Sequence, residues 1–98
     1  MITVGNKYHG DKGINVMRPS PLGNPFIVGQ HGERGECVEL FRKWLWKQIK
    51  EKQPIYYTLL PLVEKHKQNE DLVLVCCCKP RACHADVLKA AIEWLAKQ

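Results

Sequence analysis

Four of the five cysteines in this chain fall within eight positions, at Cys76, Cys77, Cys78 and Cys83, and the last is followed by His84 and Asp86. Lys79 and Arg81 lie between them. Thiol, imidazole and carboxylate at this density can do three kinds of chemistry. In the first, the segment is an active site: Cys83 is a nucleophile, His84 and Asp86 manage protons, and Lys79 and Arg81 hold an anion at a helix N-terminus. In the second, Cys76, Cys78, Cys83 and His84 hold zinc or another divalent metal. The number of soft ligands is right, but Cys-x-Cys followed after four residues by Cys-His departs from the usual paired-knuckle spacing. Neighbours such as Cys83 and His84 are also expected to converge on one ion only with difficulty, so zinc ranks second. In the third, the cysteines are small buried hydrophobes, a reading strongest for Cys77 and for Cys37, which stands alone elsewhere in the chain.

The elements that must position these residues can be read on either side of them. Leu72 to Cys78 is an apolar, β-branched run, the pattern of a buried strand. On a strand Cys76 and Cys78 face one side and Cys77 the other. After the Cys-His pair, Val87, Leu88, Ala91, Ile92 and Leu95 form a helical stripe. Cys83 then falls at the start of that helix, where the dipole and unpaired N–H groups lower a thiol's pKa. Strand ends that feed helix N-termini are where open α/β sheets place their ligands.

A second segment has the composition of a binding loop. Arg18-Pro19-Ser20-Pro21-Leu22-Gly23-Asn24-Pro25-Phe26 holds three prolines and a Gly-Asn pair, which forbid helix and impose turns. Arg18 can clamp a phosphate with its fork of donors, and Ser20 adds a hydroxyl to the same set. Asn24 offers a donor and an acceptor to a sugar or base. Phe26 is expected mainly to anchor the loop in the core.

The remaining chain supplies scaffold. Ile2 to Gly5 and Ile14 to Met17 read as short strands, with a polar loop between them. A helix is expected over about 36–52, striped by Val38, Phe41, Leu45 and Ile49 and widened by Leu40 and Trp44. Its basic face, with Trp46 off the stripe, is expected to be solvated rather than to stack on nucleic acid. A second helical stretch over about 55–68 contains Pro61, which implies a kink or two pieces. The expected architecture is a single α/β domain over residues 1–98, with a small, mainly parallel sheet flanked by helices in a Rossmann-like two- or three-layer arrangement.

Composition narrows the partners. With 98 residues the chain has room for one modest core, and 45% hydrophobic and 26% charged residues are ordinary for a globular domain. A net charge of +5 favours phosphate-bearing partners, nucleic acid or nucleotide, although such a surface also serves solubility. No apolar run approaches the ~20 residues of a membrane helix. The N-terminal segment lacks a signal-peptide pattern, and five cysteines is an odd number for a disulfide framework. Both point to a reducing, cytoplasmic setting without membrane partners.

The proline-rich segment, the Arg42-Lys43-Trp44-Leu45 stretch and the pattern Cys76-x-Cys78-x-Pro80-x-x-Cys83-His84-Ala85-Asp86-Val87-Leu88 together resemble the small phage and bacterial family known as domain of unknown function 4326. The resemblance spans about Ile14 to Trp94. This chain has Cys77 where the family usually has an aromatic residue, and Ala85 where it usually has glycine. The resemblance implies intracellular work during infection, on host nucleic acid or nucleotides, with the Asn-Pro-Phe loop and the Cys-His junction sharing one pocket. The expected function is therefore a small enzyme that cleaves a phosphodiester or glycosidic bond in DNA or a nucleotide, nicking of damaged or abasic DNA being one version. The alternatives are a non-catalytic basic module that grips a host protein or nucleic acid, and a zinc-stabilised module.

Overall fold

Apolar and β-branched residues are continuous in only a few places, and the sheet forms there. The structure is a computed structural model that describes residues 1–77 and 83–98. Strands β1 (Ile2–Asn6), β2 (Ile14–Asn15) and β3 (Leu72–Cys76) form a three-stranded parallel sheet in the order β1-β3-β2. Helices α1 (Arg34–Lys50) and α2 (Pro54–Lys67) lie between β2 and β3, and α3 (His84–Ala96) follows β3. This is the expected α/β architecture with the expected central strand.

Register explains how a short loop can join two parallel strands on opposite sides of β3. Asn6 is level with Cys76, whereas Ile14 is level with Leu74. The connection therefore retreats by only two residues along the strand direction, and no helical crossover is required. Gly13 permits the approach: a Cβ there would collide with the Val73 carbonyl oxygen. A Lys7–His9 turn of 3-10 helix is capped by Asn6, whose Oδ1 accepts from Tyr8 N–H at 2.7 Å.

The register also sorts the sheet into two faces. Ile2 and Leu72, then Val4, Leu74 and Ile14, then Cys76 share one side and belong to or pack against the core. Thr3, Val73, Gly5, Val75 and Asn15 share the other, where Val75 alone is buried, apart from the core cluster, and the rest are exposed or half-buried. The helices thus cover one face, and the arrangement is two-layered. On α1 the buried stripe is Cys37, Phe41, Leu45 and Ile49 at intervals of four; Val38 is half-buried and Leu40 exposed. Trp46 is not solvated as expected but packs edge-on against Trp94 of α3, with ring centroids 5.2 Å apart. Helix α2 is one piece: Pro61 is exposed, so the Tyr57 carbonyl it leaves without an N–H partner lies on the exposed side of the helix. Pro54 at its first turn needs no such compensation.

The strand at the centre is shorter than predicted. It ends at Cys76, Cys77 is an exposed bend, and Cys78, Lys79 and Arg81 lie outside the described residues. No helix among the described residues is long and apolar enough to cross a membrane.

Candidate functional site

The C-terminal edge of the sheet carries the chemistry. Cys83 is the N-cap of α3 in extended conformation, and its Sγ accepts from Ala85 N–H at 3.4 Å. A sulfur thus fills the role usually taken by a serine or aspartate oxygen. His84 is the first helical residue and is 7% exposed. Its Nε2 lies 2.7 Å from the Val16 carbonyl oxygen and 3.1 Å from that of Leu22. Carbonyls only accept, so Nε2 carries the proton and Nδ1 is left with a lone pair. That lone pair is 3.9 Å from Cys83 Sγ. The ring packs edge-on against Phe41, at 5.2 Å between centroids.

Burial lowers the His84 pKa below its ordinary value of 6.5, and Arg18 lowers it further. The two carbonyl bonds and the Asp86 carboxylate oppose these effects without reversing them. The imidazole is therefore neutral at pH 7, with one nitrogen donating and the other electron-rich.

The Leu22 carbonyl belongs to the proline-rich loop and the Val16 carbonyl to the segment leading into it from β2; the loop folds back so that both reach one N–H. Ser20 N–H donates to Met17 O and Gly23 N–H to Ser20 O, each at 2.8 Å, giving two successive turns. Gly23 lies against the start of the loop: a Cβ there would sit 2.9 Å from Arg18 N and 3.0 Å from its Cα. Asn24 holds the far end. Its Oδ1 accepts from Phe26 N–H at 2.9 Å and its Nδ2 donates to Cys37 O at 3.4 Å. Leu22 is buried and fastens the loop to the core.

Loop and corner enclose one cleft of about 300 Å³. Its reactive side is Cys76, Cys77, Cys83 and His84, its cationic side Arg18 and Arg34, and its apolar side includes Phe26, Ile27 and Val28. Arg18 also donates through Nη1 to Asn24 O at 3.1 Å. Of the residues singled out in the sequence, Arg18, Asn24, Cys76, Cys83 and His84 meet here. The Asn24 amide is engaged at both ends by the protein, so it shapes the wall. Ser20 does not line the cleft; its Oγ accepts from Leu22 N–H at 3.2 Å. Asp86 is exposed in the first turn of α3 and acts on the site through its charge.

Sequence reasoning missed Arg34; Cys37 is the buried small residue it was read as, and it also forms part of the cleft wall. Arg34 had a signal: a cation at the first position of a helix opposes the dipole, which fits a site that draws anions. The place of Cys37 on the cleft wall had none, because only the loop's return brings it there.

Cys83 and His84 were expected to converge on one ion only with difficulty, yet Cys83 Sγ and His84 Nδ1 lie 3.9 Å apart. The backbone passes from extended at Cys83 to helical at His84, so the two side chains are not set by a single strand's alternation. Bonding through Nδ1, the nitrogen nearer the backbone, closes the remaining distance. Cys76 completes the corner, since its Sγ, Cys83 Sγ and a His84 ring nitrogen all lie within 4.8 Å of one another.

A two-layer α/β domain with a thiol–imidazole corner at the carboxyl end of its central parallel strand defines the class to which the chain conforms. More narrowly, the chain belongs to the family described as domain of unknown function (DUF4326), whose model matches residues 4–94. It is similar to an uncharacterized 12.4 kDa protein encoded in the nrdA-td intergenic region of Enterobacteria phage T4, with 32% identity over 94 residues, covering 96% of this chain and 80% of that protein. No solved structure matches it.

Proposed function

We propose that the protein is a small hydrolytic enzyme that takes a phosphate-bearing nucleotide unit into the cleft and breaks a phosphoester or glycosidic bond. The observation that carries this reading is the bond between the two segments: His84 Nε2 is held by the Val16 and Leu22 carbonyls, 68 and 62 residues away in the chain. Those bonds tie the arginine-bearing loop to the thiol–imidazole corner, with one cleft between them.

The cleft is at the small end of ligand sites, suited to a single nucleotide rather than to duplex DNA. Arg18 and Arg34 attract the phosphate, and the Phe26, Ile27 and Val28 wall offers apolar surface to the base or sugar. Electron-rich groups, the His84 imidazole with its Nδ1 lone pair and the cysteine thiols, line the same cleft and would serve an attacking water there. They can take a proton from that water or hold a cation that acidifies it. In either case the water oxygen bonds to phosphorus or the anomeric carbon, and the displaced oxygen or base nitrogen leaves with a proton. A buried, neutral imidazole with a fixed tautomer suits this role because no reorganisation is needed during reaction.

The test is a turnover screen of the purified protein against a nucleotide panel and against intact, uracil-bearing and abasic single-stranded DNA, with and without divalent metal. Cleavage of a nucleotide-sized substrate, lost in Cys83→Ser and in His84→Gln, is the expected outcome. Binding without turnover, equally tight in both variants, would replace the enzyme with a basic binding module.

A further inference from the structure

We infer that Cys76, Cys83 and His84 form a three-ligand site for zinc or a similar borderline-soft divalent metal, with the fourth coordination position facing the cleft. Three features of the corner support this independently of any activity.

The first is the ligand set. Two thiol sulfurs and an imidazole nitrogen match the donors that zinc selects, and three protein ligands with an open position is the pattern of sites that activate water. The second is spacing. Tetrahedral bonds of ~2.3 Å to sulfur and ~2.0–2.1 Å to nitrogen put donors roughly 3.6–3.8 Å apart. Cys83 Sγ and His84 Nδ1 are 3.9 Å apart, and all three donors lie within 4.8 Å. Contraction by at most about 1 Å would seat the ion. Cys76 ends β3 and Cys83 caps α3, so the core fixes two of the three ligands to different elements.

The third feature is the orientation of the histidine. Metal-binding imidazoles commonly donate their other N–H to a carbonyl or carboxylate, which sets the tautomer and raises the basicity of the ligating nitrogen. His84 has this arrangement twice over, with Nε2 shared between Val16 O and Leu22 O. The buried ring is thereby turned so that Nδ1, and not Nε2, meets the Cys83 sulfur. Ala85 N–H donates to Cys83 Sγ, a bond that favours a thiolate. All three ligands line the cleft, so among the described residues the remaining position is left to it. A water held there would be acidified, with a pKa near 7 in the best-known sites of this type. This deepens the proposed hydrolysis by naming the group that activates water, but occupancy of the site does not depend on that reading.

The full-length protein, prepared under reducing conditions without chelator in zinc-supplemented medium, should carry about one equivalent of zinc, as expected for a preorganised site. Replacement by Co²⁺ should give visible bands of tetrahedral intensity and a near-ultraviolet thiolate charge-transfer band corresponding to two sulfurs. Cys76→Ser, Cys83→Ser and His84→Gln should each lower the metal affinity at least tenfold, whereas Cys37→Ser, Cys77→Ser and Cys78→Ser should retain it. Inorganic phosphate added to the Co²⁺ protein should perturb its spectrum through the open position. If the wild-type protein, folded by circular dichroism, holds no stoichiometric zinc and shows no Co²⁺–thiolate band, the site is wrong. A third sulfur that disappears in Cys78→Ser would overturn the open position. Stoichiometric metal without turnover on any substrate would sink the hydrolase and leave the metal site standing. Turnover unaffected by complete removal of metal would do the reverse.

Discussion

The starts of α1 and α3 both carry a buried cysteine on the same cleft, and they use it in opposite ways. Cys37 and Cys83 are each 1% exposed. At α1 the helix end is satisfied by carboxylates: Glu33 and Glu36 form a capping box, with Glu36 Oε1 accepting from Glu33 N–H at 3.0 Å. Cys37 lies a turn further in and donates its S–H to Gly32 O at 3.6 Å, a bond that requires the thiol. At α3 sulfur itself is the cap, accepting from a backbone N–H and facing an imidazole lone pair. The same side chain is thus a structural hydrophobe at one helix start and a poised donor atom at the other. Hydrogen-bond direction, not burial, separates them.

The largest expected effect is on catalysis. Cys83→Ser and His84→Gln should lower turnover on the substrate found by screening by at least about a hundredfold. Cys37→Ser should stay within about threefold, since its sulfur plays no part in the reaction. Comparable losses in all three variants would erase the distinction between the two helix starts.

Stability gives the next largest effect. Phe41 is fully buried on α1 and packs against the His84 ring, so Phe41→Ala should cost about 3–5 kcal/mol in denaturant unfolding. His84→Ala removes the shared donor of the Val16 and Leu22 carbonyls and should cost about 2–4 kcal/mol. A loss below ~1 kcal/mol for His84→Ala would mean that the loop does not depend on this bond.

A smaller effect should appear on acidification of the metal-free protein. The folded-state pKa of His84 is lowered, so the unfolded chain takes up this proton first as pH falls. Its contribution is fully present above about 6.5 and is lost as pH drops toward the folded value, by at most ~1.4 kcal/mol per pH unit. His84→Gln should flatten that part of the stability profile, and an unchanged profile would contradict burial of a neutral ring. Least disruptive is Gly23→Ala, whose Cβ crowds the Arg18 backbone. It should weaken nucleotide binding several-fold by shifting the loop while leaving the fold intact, as read by calorimetry and circular dichroism.

Much of the fold was legible because local pattern and tertiary role agreed. The Leu72–Cys76 run became the central strand, and the apolar stripes of α1 and α3 became the core. The corner was legible as a concentration of reactive side chains, and the proline-rich loop as a stiff segment. Their meeting was not encoded locally: it depends on two carbonyls that any residue could supply, at Val16 and Leu22. Asn24 and Ser20 were read as ligand-binding because their side chains suit that role. In the folded loop the same groups serve turn geometry, which competes for them. Pro61 was overestimated as a helix breaker because exposure on the outer side of α2 was not visible from the sequence.

The account stands on one protonation pattern at His84, and long-range ¹H–¹⁵N correlation spectroscopy of the metal-free protein at pH 7 reads it directly. The expected spectrum shows a neutral ring with its proton on Nε2 and an unprotonated Nδ1. A ring protonated on Nδ1, or on both nitrogens, would contradict it, because no lone pair would then face Cys83 and the cleft.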